Sequence, residues 1–292
     1  MRRTIRRTTV AGLAVATLAL ASACGSSSNA SGDHAKESSS GSSAVSGGGE
    51  TGLAAGSALN AVDAKSVMTS AVNAMTSMKI SGDISVASSG TIHMEGVEQA
   101  KPSLRAEITE SIDGQDMDVR MIGSNMYIQM PSSASAGLPA GKKWMSVNFS
   151  DLGSLTGMDT STLSQSMEDP ASAVSKYAKY VTGGKYVGSE SVDGTTAKHY
   201  TFTVDMKSAT ADMLPNGVPS SAAGELPASM TEDVWVDGDG HPVQIKVDLG
   251  KLGVTTMHMS DFGTKVSVTA PPADQVADMK QLMGQLGGAA QQ

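Results

Sequence analysis

The stretch LRAEITESIDGQDMDVRMIGSNMYIQM, residues 104–130, decides the fold. Taken in steps of two, Ala106 and Ile108, then Val119 and Met121, then Met126 and Ile128 alternate with Arg105, Glu107, Asp118, Arg120 and Tyr127. That is the period of strands with one dry face. Asp113-Gly114 and Gly123-Ser124-Asn125 interrupt the alternation with residues that tolerate the left-handed backbone of tight hairpins. Strands over 104–112, 117–122 and 126–130 therefore follow one another as an antiparallel meander.

The same pattern extends in both directions. Upstream, strands are predicted over 80–87 and 91–98, and before them a helix capped by Asn60, with Ala64, Val67, Ala71, Met75 and Met78 as its apolar stripe. Downstream comes a strand over 143–148, then Leu152, Leu155, Met158, Leu163 and Met167 at helical spacing. Asp169-Pro170 next opens a helix that carries Val174, Tyr177 and Ala178. Further strands are predicted over 185–192, 198–206, 232–237, 242–249, 254–259 and 266–270, and Asp274 opens a short terminal helix bearing Val276, Met279 and Met283. Between strands, residues 209–230 form a Pro/Gly/Ser-rich excursion, long for a compact domain. The chain thus reads as one α+β domain over 59–286, with a tail at 287–292.

The N-terminal part reads differently. Arg2, Arg3, Arg6 and Arg7 precede an apolar run from Val10 to Ala21 that is too short to span a bilayer, which is the form of a secretory signal over 1–23. It closes on Leu20-Ala21-Ser22-Ala23-Cys24, a lipobox pattern in which Leu20 stands one place earlier than usual. Cys24 is the only cysteine, so it has no intramolecular disulfide partner, and it is expected to carry a diacylglyceryl anchor. The paired arginines leave both general and twin-arginine export open. Residues 24–58 are Gly, Ser and Ala with few large apolar side chains, a composition that buries too little to offset ordering entropy, and they are expected to form a flexible tether. The expected location is the extracytoplasmic face of the cell membrane.

Charge narrows the partners. Four of the 21 basic residues lie in the leader, which leaves 17 against 29 acidic residues, a formal charge of −12. Nucleic acid is not an expected partner, and residence at an anionic membrane has to come from the anchor.

Catalytic and metal-binding patterns are weak. A nucleophile elbow of the form Gly-x-Ser-x-Gly is missing, and the lone cysteine is spent on the anchor, so no enzyme activity is expected. The run from Asp237 to His241 begins like a calcium loop, but Pro242 stands where such loops need glycine, and a tight hairpin explains it better. In Met257-His258-Met259 the strand period places His258 opposite the two thioethers, so the three do not chelate together. Glycine runs such as 47–49 lie in the tether, away from any strand-to-helix turn, and no cofactor is expected.

The phrases of the domain resemble a known family. Gly123-Ser124-Asn125-Met126-Tyr127-Ile128, Trp144-Met145-Ser146-Val147, residues 186–194 leading to His199-Tyr200, Trp235-Val236-Asp237 with Gly240-His241-Pro242, and the closing 261–271 occur in the order found in the mycobacterial LppX, LprA, LprF and LprG lipoproteins. More distantly they resemble the LolA-like lipoprotein carriers. The resemblance implies a strongly curved antiparallel half-barrel with helices closing its concave face, and a lipid or glycolipid held between them. The chain departs from it in its longer tether, its 209–230 segment and its methionine content.

Withdrawing a two-chain lipid from a bilayer exposes about 30 methylenes and costs on the order of 25 kcal/mol unless an apolar interior takes them in. With 19 Met and only 10 aromatic residues, such an interior here would be lined by flexible thioethers and small aliphatics that repack around their guest. Candidate lining residues are Val67 and Met75 on the helix, and Val119, Met121, Met126, Ile128, Met145, Val147, Phe202, Val204, Ile245 and Val247 on strands. Periodicity places them inward but leaves two readings open. One is a hollow lipid-binding module; the other is a filled-core sensor or scaffold that engages another envelope protein.

Overall fold

The computed structural model describes residues 52–86, 90–131, 138–151, 177–213 and 227–283. The signal, Cys24, most of the tether, the helical series over 152–176 with its Asp169-Pro170 start, residues 214–226 and the tail lie outside these.

Among the described residues, two antiparallel meanders build one thirteen-stranded sheet. The first comprises β2 (Ser77–Val86), β3 (Gly90–Gln99), β4 (Arg105–Ile112), β5 (Gln115–Ile122), β6 (Asn125–Gln129) and β7 (Trp144–Asn148). The second comprises β8 (Val181–Val192), β9 (Thr195–Asp205), β10 (Ser229–Val236), β11 (Pro242–Asp248) and β12 (Gly253–Ser260). They join where β12 pairs antiparallel with β2, setting Met259 opposite Ile80. A two-residue strand, β1 (Ala58–Leu59), lies on β8, and β13 (Val276–Asp278) lies parallel on β7. Ahead of β1, the Gly56 amide donates to the Tyr186 carbonyl at 2.8 Å, so the chain already follows β8 there.

The hairpins follow the turn residues. Asp113 and Gly114 have φ of 52° and 75°, and Asp193 and Gly194 have 49° and 83°, the paired left-handed conformations of a two-residue turn whose twist matches its strands. Gly123, with φ 57°, helps link β5 to β6.

The sheet is curved and does not close on itself. Glycines permit the bend: a Cβ on Gly96 would lie 2.2 Å from the Glu107 carbonyl oxygen, and one on Gly82 would lie 2.3 Å from that of Thr256. Both positions share the inward register, where curvature brings neighbouring backbones together.

Helix α1 (Ala61–Ala74) begins where expected, the Asn60 side chain accepting from the amides of Val62 at 2.9 Å and Asp63 at 3.0 Å. It buries Ala64, Val67, Met68 and Ala71. It ends sooner than the stripe implied: Met75 is its C-cap, and Met78 belongs to β2, where it is fully buried. An apolar residue three places on fits a strand's inward register as well as a helix face, and pairing with β3 decides it. In the second meander α2 (Met206–Met213) follows β9, with Asp205 accepting from the Ser208 amide at 3.1 Å and its hydroxyl at 2.6 Å. The excursion predicted over 209–230 is therefore helical at its start and strand at its end, since β10 begins at Ser229.

Two further expectations are corrected near the C-terminus. Residues 266–270 are not a strand; Val268 is buried, and carbonyls there are taken by side chains, Arg105 Nη1 donating to Val268 at 3.0 Å and Arg120 Nη1 to Thr269 at 3.2 Å. Asp274 lies inside a 3-10 turn (Ala273–Gln275) that Pro272 precedes, after which Val276 enters β13 because β7 offers an unpaired rim; helix follows over 279–283.

Candidate functional site: the inner face of the sheet

Cross-strand register lines up the inward side chains in rows. One row runs Tyr200, Val234, Ile245, Met257, Gly82, Met94, Glu110 and Met117. The next runs Met259, Ile80, Gly96, Ile108, Val119, Ile128 and Met145. A third sets Phe202 beside Glu232 and Val247. Pairs of this kind are the packing unit of a sheet face.

Their burial forms two apolar clusters. Val67, Phe202, Val204 and Val247 belong to the one under α1, which also takes Tyr177, Tyr180, Tyr186 and Tyr200. Val119, Met121, Met126 and Val147 belong to the other, with Met78, Ile80, Met94, Leu104, Ile108 and Met259; Met75 and Ile128 pack against it half-buried. Ile245 touches both clusters and joins them. Met145 is half-buried and belongs to neither. It ends its row at the rim, where its neighbour is Ala277 of β13. The small residue leaves it less cover.

Three glutamates share this apolar face. Glu98, Glu110 and Glu232 are the buried charged residues among the described ones. Burial pushes each carboxyl up to about 7, because a charged form loses its water without gaining a cation. At Glu232 a donor partly opposes this: the Tyr177 hydroxyl lies 3.3 Å from Oε2. Tyr177 is in turn held well above the usual phenol range by burial and by that carboxylate. Glu110 has no such help, and its buried Oε2 lacks a hydrogen-bond partner among the described residues. Sequence reasoning passed over all three glutamates, although 98, 110 and 232 fall in the same register as Met94, Ile108 and Val234. The period-two signal was sufficient to find them.

The outer face is polar. Its four described histidines each meet a carboxylate: His93 meets Asp83, His199 lies between Glu190 at 3.0 Å and Asp233 at 2.9 Å, His241 lies 3.3 Å from Asp237, and His258 lies 2.8 Å from Asp193. Trp235 stacks on His199 with centroids 4.1 Å apart and donates to Glu190 at 2.8 Å. Two hollows of about 370 Å³ open on this side and share Ser81 and His258. They are lined chiefly by such polar residues and not by the expected inner set. Asp237, Asp239 and His241 stand close enough to share an ion, within 4.8 Å of one another. The turn accounts for that grouping, since Asp237 Oδ1 accepts from the amides of Asp239 at 2.9 Å and His241 at 2.8 Å. As the strand period required, Met259 is buried inward while His258 faces the Asp193 turn.

No family model matches the chain. Over 184 residues it is 28% identical to an uncharacterized 31.2 kDa protein from the rplA-rplJ intergenic region of Streptomyces griseus, covering 59% of each. This chain thus spans under two thirds of that relative's length. Among solved structures it is similar to the lipoprotein LppX of Mycobacterium tuberculosis, with TM-score 0.46, 18% identity and coverage of 70% of this chain and 97% of that one. It is likewise similar to LprF from Mycobacterium bovis, with TM-score 0.46, 12% identity and coverage of 75% and 100%. LppX and LprF are both among the lipoproteins whose phrases the sequence resembles.

Proposed function

We propose that this chain is an exported, lipid-anchored envelope protein that receives the apolar part of an amphiphile against the inner face of its sheet and carries or presents it outside the cell membrane. The observation that carries the reading is the continuity of that face. Aliphatic and thioether side chains run from Val247 and Ile245 across Met259 and Ile80 to Val119 and Ile128, with Ile245 bridging the two clusters. Methionine is frequent among them, and an unbranched, polarizable side chain changes rotamer at little cost, so such a lining opens for a guest and refills when it leaves. The role is exclusion of water and not bond making. Membrane residence comes from Cys24, because a protein of formal charge −12 gains nothing from anionic head groups.

The test is native mass spectrometry of the Cys24→Ser chain after exposure to its own membrane fraction. A lipid adduct is expected, together with uptake of a fluorescent fatty acid or neutral apolar probe. A bare chain mass and no uptake would overturn the reading and leave a tethered domain that engages a protein through its outer face.

A further inference from the structure

We infer that the amphiphile taken up on the inner face bears an amine at its polar end and that Glu110 receives it. The inference rests on the lipid-binding reading above and adds the chemistry of the guest. Glu110 sits in β4 between Met94 of β3 and Met117 of β5, in the inward row, and is 4% exposed. Its Oε2 is the one buried side-chain polar atom without a hydrogen-bond partner among the described residues. Thioethers on either side accept hydrogen bonds weakly and donate none. A dry, unpartnered carboxyl is a standing cost that a donor arriving from outside would remove.

The other interior carboxyl with a partner shows what is missing. Glu232 has the Tyr177 hydroxyl, a donor supplied by the chain itself. Glu110 has neither such a donor nor an ion pair among the described residues, and burial raises its carboxyl to about 7, so a guest's cation would also restore its charge. The overall balance selects the sign of the guest. At a formal −12 for the exported chain, an anionic head group is repelled on approach and again at Glu110, whereas an ammonium is attracted and brings three donors. Its alkyl chain would lie along the same inward rows, over Ile108 and Val119.

Displacement of the neutral apolar probe N-phenyl-1-naphthylamine from the Cys24→Ser chain tests this. The competitors are dodecylamine and dodecanoic acid, both below their micelle-forming concentrations. The amine is expected to displace the probe at about tenfold lower concentration than the acid, the ratio one charge-assisted hydrogen bond supplies. With displacement referred to each variant's own probe affinity, Glu110→Gln and Glu110→Met should each bring the two competitors within about twofold, and Glu98→Gln should leave the preference intact. Equal competition in the parent chain, or a preference that survives both Glu110 variants, overturns the inference while the lipid-binding reading stands. Failure of the parent chain to bind any probe sinks both.

Discussion

The Tyr177 hydroxyl donates to Glu232 Oε2 at 3.3 Å, both groups buried, tying the entry to β8 to the middle of β10. Because a charged acceptor holds a hydrogen bond more strongly than a neutral one, the bond is worth most above the carboxyl's midpoint near 7. Tyr177→Phe is expected to cost about 1–3 kcal/mol at pH 8 and clearly less at pH 5, measured by urea unfolding at the two values.

The three interior glutamates together set a pH dependence of stability. Each carboxyl titrates near 4.5 when unfolded and near 7 when folded, so between these values the folded chain holds protons that the unfolded chain has released. Stability therefore falls as pH rises through that window and is flat on either side, by on the order of 3 kcal/mol per group. The denaturation midpoint should drop between pH 5 and pH 8, and Glu98→Gln should shrink that drop by about a third. A midpoint that rises with pH would contradict the account.

Curvature makes two glycines unequal. Gly96→Ala forces a methyl against the Glu107 carbonyl at 2.2 Å and the Ile108 backbone at 2.8 Å, so the chain should either fail to fold or lose more than about 2 kcal/mol. Gly238→Ala, in a turn with nothing within 4 Å of its Cβ, should change stability by less than about 0.5 kcal/mol. Thermal unfolding of the pair checks both.

Burial grades the inward residues. Phe202, wholly buried under α1, should lose about 3–5 kcal/mol as Phe202→Ala, while half-buried Met145, outside both clusters, should lose about 1 kcal/mol as Met145→Ala. The periodicity that nominated both residues predicts no such gap.

Anchoring is tested in cells. Cys24→Ser should move the protein from the membrane fraction to the soluble extracellular fraction and abolish incorporation of labelled palmitate, since two acyl chains give stable binding and their loss leaves only a repelled acidic surface. Retention at the membrane without label would remove the anchor from the account.

Most strands were legible because their inward residues repeat every second place and Asp-Gly or Gly-Ser steps mark their turns. Residues 104–130 gave β4, β5 and β6 nearly to their ends. What the sequence did not disclose were pairings that local pattern leaves unmarked. Nothing in residues 253–260 announces β2 as their neighbour, a partner some 170 places away, and β13 is a strand only because β7 has a free rim beside it. Residues 266–270 alternate like a strand yet join no ladder, and the carbonyls of Val268 and Thr269 accept from arginine side chains. At the candidate site, eleven of the twelve nominated side chains, all but Met145, lie in or against the two clusters, which shows their burial and not a lining role. The same alternation marks Glu98, Glu110 and Glu232 as inward, but charge argued for the surface, and only the folded sheet shows that position overrode polarity.

The two ends of the sheet are finished off by strands of two and three residues, β1 and β13. Long unpaired borders template the stacking of further chains, and stubs this short give a second molecule almost nothing to zip onto. Cutting the chain before Ala273 would strip the stub from β7 and bare a five-residue border of Trp144, Met145, Ser146, Val147 and Asn148. Residues 273–278 thus cover a border that would otherwise stand open to pairing with a second copy of the chain.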